Sequence, residues 1–151
     1  MCFSEAPLSV LTQSFAQPAP AGMRYAPFGV IVAKSWLFER GGRPVIYQAE
    51  AEYEALPEAL RYRHVRYEPS LSIDFTWERE WRIHTPQLDL VPEQTTFVVP
   101  TRQWVRRFHQ EHVDAVASSS ALLEVPFDDP IPWHFIALED LGVEGLGDYG
   151  L

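Results

Sequence analysis

Apolar positions along this chain change their period several times, and each change marks an expected element. Leu8, Leu11 and Phe15 fall at helical spacing behind Pro7, which predicts a short helix within residues 4–17. The Pro- and Ala-rich residues 17–22 then read as a loop. Residues 28–33 are a run rich in β-branched side chains, the pattern of a strand buried on both faces. Residues 34–40 predict one or two helical turns closed by the Gly41-Gly42 pair. A second strand is expected over 44–48. Residues 50–60 carry good helix formers, with Ala51, Tyr53, Leu56 and Leu60 facing inward, and Pro57 divides them into two short turns. Residues 62–67 alternate like a further short strand.

The clearest alternation spans residues 78–84. Trp77, Arg79, Trp81 and Ile83 are expected on one side, and Glu78, Glu80, Arg82 and His84 on the other. Residues 95–99 predict another strand, and Thr101 is a natural N-cap for a helix running to about Ala117. Its inward stripe would be Trp104, Val105, Phe108, His112 and Val116. Ser118, Ser119 and Ser120 read as a break, residues 133–138 as a last strand, and 142–151 as a flexible acidic tail. Strands and helices follow one another without a βαβ period or an internal repeat. The expectation is a single α+β domain over residues 1–141, with one mixed, twisted sheet and short flanking helices.

Composition narrows the functional classes. With 46% apolar and 13% aromatic residues in 151, the chain can build a core. A net charge of −9 argues against a nucleic-acid binder, because phosphate contacts draw their affinity from a basic footprint. Lys34 is the only lysine, so the other cationic side chains are planar, permanently charged arginine forks suited to carboxylates and phosphates. Cys2 is the only cysteine, which excludes an internal disulfide and a cysteine-cluster zinc site. The five histidines show no HExxH spacing, and His109 and His112 read as a solvated helix face; no metal site is expected. Neither a basic, apolar leader nor a membrane-length apolar run is present, so a cytoplasmic protein is expected.

The polar side of residues 78–84 is the candidate site. A rigid strand anchored by tryptophans and presenting Glu80 beside Arg82 can grip an anion while a carboxylate accepts hydroxyl protons. The opposing reading is a solvated strand whose charges pair with neighbouring strands.

Four segments also stand in a familiar order. They are residues 2–9 (CFSEAPLS), residues 24–32 with Lys34, Ser35 and Trp36 behind them, residues 42–47 (GRPVIY), and residues 78–83 (EREWRI). Together they resemble the AbiGi-type abortive phage-infection proteins and related domains of unknown function. The resemblance covers about residues 2–100, and residues 78–83 are its specific part. Residue 26 is alanine where the family's glycine usually follows the tyrosine, and the chain opens at a segment that relatives carry further in, so it looks started late. The resemblance implies a bacterial defence component, antitoxin-like, that acts on a protein partner such as a cognate toxin and needs no cofactor. Strand edges left by a late start favour pairing with a second copy. A further likeness, to ADP-ribosyltransferases, implies an NAD-dependent alternative. There Glu80 is the catalytic carboxylate, Arg82 or Arg79 the phosphate partner, and Glu78 and His84 flank the binding site.

Overall fold

The computed structural model describes residues 1–8, 10, 26–124, 129–143 and 146. The helix expected behind Pro7 and the loop at 17–22 lie mostly or wholly outside these residues. In chain order the strands are β1 (Cys2–Ser4), β2 (Gly29–Val32), β3 (Arg43–Pro44), β4 (Ile46–Gln48), β5 (His64–Arg66), β6 (Glu80–Arg82), β7 (Thr95–Val99) and β8 (His134–Ala137). The α-helices are α1 (Lys34–Glu39), α2 (Glu58–Arg61) and α3 (Arg102–Leu123). Helices and small sheets together make a mixed α+β chain. Contacts divide it into two compact units, residues 1–11 with 33–89, and residues 12–32 with 90–151.

The expected single sheet is replaced by three. In the first unit β6 lies between β1 and β3, antiparallel to both, while β4 and β5 form a separate parallel pair. The predicted strand at 44–48 divides at Val45. The Val45 N–H donates to the Glu80 carbonyl at 3.0 Å, whereas the Ile46 N–H donates to Arg63 at 2.8 Å. One residue therefore hands the chain from one sheet to the next, and its side chain is buried at the crossing.

Helix α1 ends as its glycines predict. Gly41 takes φ +92°, its N–H donates to the Phe38 carbonyl, and the Gly42 N–H reaches back to Leu37 at 2.9 Å. A Cβ on Gly42 would lie 2.8 Å from the Leu37 carbonyl oxygen, so the close return needs glycine. Residues 50–60 split at Pro57 as expected, into a 3-10 helix over Glu50–Ala55 and then α2.

In the second unit β7 sits between β2, antiparallel, and β8, parallel. The strand expected to be buried on both faces is an edge strand: Gly29 and Ile31 are exposed. Its apolar run serves to pack one face, with Phe28 edge-on to Trp104 of α3 at 4.9 Å. The predicted inward stripe of α3 is its half-buried face, and Phe108 stacks on Phe135 of β8 at 5.7 Å. Two details differ from the sequence reading. Thr101 gives no side-chain cap; Glu139 Oε1 accepts the Arg102 N–H instead, at 2.6 Å. The serines do not break the helix, because Ser118 and Ser119 donate back to the carbonyls of Asp114 and Ala115. The packed chain reaches Val143, which is buried. The remainder of the expected tail, apart from residue 146, lies outside the described residues. No described helix is long and apolar enough to cross a membrane.

Four buried side-chain polar atoms lack a hydrogen-bond partner among the described residues, on Trp36, Gln48, Thr95 and Thr101. The Thr95 hydroxyl makes no hydrogen bond although the residue is only 2% exposed. Thr95→Val replaces that hydroxyl with a methyl of similar size and should stabilise the protein by about 1 kcal/mol. Thermal unfolding should rise by roughly 2–4 °C; an unchanged or lower midpoint would mean that the hydroxyl is satisfied in solution.

Candidate functional site around the Glu80–Arg82 pair

Residues 77–84 do not form one continuous strand. Thr76–Glu78 is a turn of 3-10 helix, and Arg79 closes it in the left-handed region at φ 48°, ψ 49°. Only Glu80, Trp81 and Arg82 then pair as β6. The left-handed residue breaks the alternation, so the expected line of four polar side chains is not built.

Each candidate has its own place. Glu78 belongs to the turn, and its carbonyl accepts the Ser4 hydroxyl at 2.6 Å. Arg79 projects outward, its guanidinium 3.9 Å from Glu5, and is more than half exposed. Glu80 and Arg82 do share a face and are joined at 2.7 Å. His84 is exposed beyond the strand end and stacks on Tyr62 at 5.1 Å. On the opposite face Trp81 and Ile83 are core residues, whereas Trp77, expected beside them, is 42% exposed.

The Glu80–Arg82 pair is closed on itself. Arg82 Nε donates to Glu80 Oε1 at 2.7 Å and Nη2 to Oε2 at 3.4 Å. Arg82 Nη1 donates to the carbonyls of Tyr62 and His64, both at 2.9 Å. Four of the five guanidinium N–H groups are thereby used, and the fork that a phosphate or carboxylate needs is gone. Glu80 is 12% exposed, with both carboxylate oxygens on the same arginine. Its backbone N–H donates to the Tyr47 hydroxyl at 3.1 Å, which in turn donates to the Phe75 carbonyl. The pair thus fastens β6 to the segment bearing β5, where no backbone ladder joins the two sheets.

Register places Cys2 opposite Arg82 and Ser4 opposite Glu80. Partial burial pushes the Cys2 thiol above its ordinary value, and the hydrogen bond and negative charge of Glu80 push the same way. It is therefore less a thiolate than a free cysteine would be. Partial burial disfavours the Arg82 charge, but Glu80 outweighs it and holds the guanidinium above its ordinary value.

On the other face, Glu5 collects two donors and a more distant cation. Lys34 Nζ binds Oε1 at 2.7 Å, Trp81 Nε1 binds Oε2 at 3.0 Å, and Arg79 lies further off. The Lys34 hydrogen bond, followed by that of Trp81, holds the Glu5 carboxyl below its usual range. Among the described residues no group of three or more His, Cys, Asp or Glu side chains could hold a metal ion.

No family model, curated protein or solved structure matches the chain.

The sequence pattern singles out Glu80 and Arg82 but not Cys2, Glu5, Lys34, Tyr47, Tyr62 and His64 as the surroundings of β6. A signal for four of them was present. Cys2, Glu5, Lys34 and Tyr47 stand in the same ordered segments as Glu80, Trp81 and Arg82. Tyr62 and His64 carry none, because they contribute carbonyl oxygens, and a carbonyl has no side-chain signature.

Proposed function

We propose that this chain is a non-catalytic, antitoxin-like member of the abortive-infection group it resembles, working by contact with a protein partner. The observation that carries the reading is the closure of the Glu80–Arg82 pair. A general base or ribose-binding carboxylate needs an oxygen open to its substrate, and the 12%-exposed Glu80 carboxylate already holds Arg82 on both oxygens and the Cys2 thiol as well. An anion site needs an open guanidinium, and at least four of the five Arg82 N–H groups are already engaged. Side chains committed in this way hold a scaffold together. The charge of −9 fits a basic partner, for which electrostatics sets encounter rate and selectivity.

Calorimetric titration with NAD tests this directly. Neither the wild type nor Glu80→Gln should give binding heat, and neither should release nicotinamide. Nicotinamide release by the wild type that is lost in a folded Glu80→Gln would replace the binding reading with the NAD-dependent one. The positive arm is co-expression with the product of the neighbouring reading frame, which should co-elute as a stable complex with a basic protein.

A further inference from the structure

We propose that the C-terminal half of α3 and the segment opposite it form a docking groove for a cationic amphipathic helix of the protein partner. This inference rests on the binding reading above and assigns it a surface. The groove lies wholly within the second unit. Val113, Val116 and Ala117 form one wall, Pro130 and Ile131 the other, and His112 lies between them around a cavity of about 650 Å³. The ring Nε2 of His112 is 2.6 Å from the Asp129 carbonyl. That oxygen can only accept, so the nitrogen carries a proton and the contact fixes the spacing of the walls.

Length explains why the groove is open. A helix of 22 residues is about 33 Å long, whereas β7, the longest strand beside it, has 5 residues and spans about 17 Å. Among the described residues, ring contacts between α3 and the sheet side end at His109. Beyond that point Val113, on the groove wall, is 57% exposed. Residues 109, 112, 113, 116 and 117 recur at i, i+3, i+4, i+7 and i+8, an amphipathic stripe wide enough to receive a second helix.

Charge selects the occupant. Asp129 stands on one wall and Glu124 ends the helix. No ion pair involves these two among the described residues. The arginines of α3 are at its other end, where Arg102 pairs with Asp140 and Arg107 with Glu111. The last turn carries no basic residue to offset the negative pole of the helix. An apolar stripe with a carboxylate rim at a helix C-terminus favours an apolar face flanked by lysine or arginine. A second copy of this acidic chain would bring carboxylates toward carboxylates.

The test uses the full chain and a fluorescein-labelled Leu/Lys model peptide of roughly five helical turns. Anisotropy should show saturable, salt-sensitive binding, and a Leu/Glu peptide of the same pattern should not bind. Val113→Lys should raise the dissociation constant by roughly tenfold or more. Val113→Ser should give a smaller loss; it also serves if the charged variant proves misfolded by circular dichroism. Equal binding by the wild type and Val113→Ser, or no binding by the wild type, overturns the proposal. So does a wild-type dimer that Val113→Lys converts to monomer, because a second copy would then cover the groove. NAD turnover through Glu80 would overturn the functional reading while leaving the peptide result to stand or fall alone.

Discussion

Arg82→Met should lower the free energy of unfolding by about 3 kcal/mol, the lower end of the range for breaking a buried pair. The variant keeps most of the stem's volume but removes the guanidinium. Glu80, 12% exposed, then holds a carboxylate with no cation beside it, and the Tyr62 and His64 carbonyls lose their shared donor. Arg82 itself is 28% exposed, so water relieves part of the cost. Adding Glu80→Leu to Arg82→Met should restore most of the loss, because the stranded charge is gone. Urea unfolding of both single variants and the double variant closes the cycle, and an unchanged m-value would place the effect in the folded state. A single-variant cost below about 1 kcal/mol would mean a well-hydrated pair. That outcome would return Glu80 to the list of carboxylates free to meet a ligand.

The same pair shows what a sequence can and cannot disclose. Glu80 and Arg82 are two residues apart on a short strand, and the period of a strand puts them on one face without further information. Their partners are non-local. Tyr62 and His64 act through backbone oxygens, and Tyr47 arrives only because Val45 passes the chain between sheets. Local punctuation was legible where chemistry dictates it. Gly41 takes a backbone conformation that favours glycine, and Pro57 cannot continue a helix. Arg79 takes a similar left-handed conformation with no residue-type signal, so the alternation of residues 77–84 looked unbroken. The serines of α3 misled for the converse reason: loop-favouring side chains found helical carbonyls to bind.

The single-sheet expectation failed through strand length. Strands of two to five residues make too few ladder bonds to enforce one continuous sheet. Side chains do the joining in the first unit, with Arg82 binding carbonyls on one face and Glu5 collecting Lys34 and Trp81 on the other. A unit held by side-chain clamps has polar groups already in use, among them the charges that stand out most in the sequence. Along the far half of α3, by contrast, Val113 is exposed and the nearby carboxylates make no ion pair among the described residues.

The two tryptophans of the central segment provide the sharpest contrast. Trp81→Ala should cost about 3–5 kcal/mol, since it removes the largest buried side chain of β6. It also strips Glu5 of the indole N–H and Lys34 of the ring it covers at 5.2 Å. Trp81→Phe should fall between, keeping most of the apolar contact and losing the hydrogen bond. Trp77→Ala should change stability by no more than about 0.5–1 kcal/mol, because its side chain lies outside the core on the turn before Arg79. Denaturant midpoints of the three variants decide the matter. Pattern alone assigns both tryptophans to one buried face and so expects similar losses. Equal losses would require residues 77–83 to run as one strand in solution, with Arg79 extended instead of left-handed. A large loss at Trp81 alone follows from the turn, which reverses the side-chain order before β6 begins.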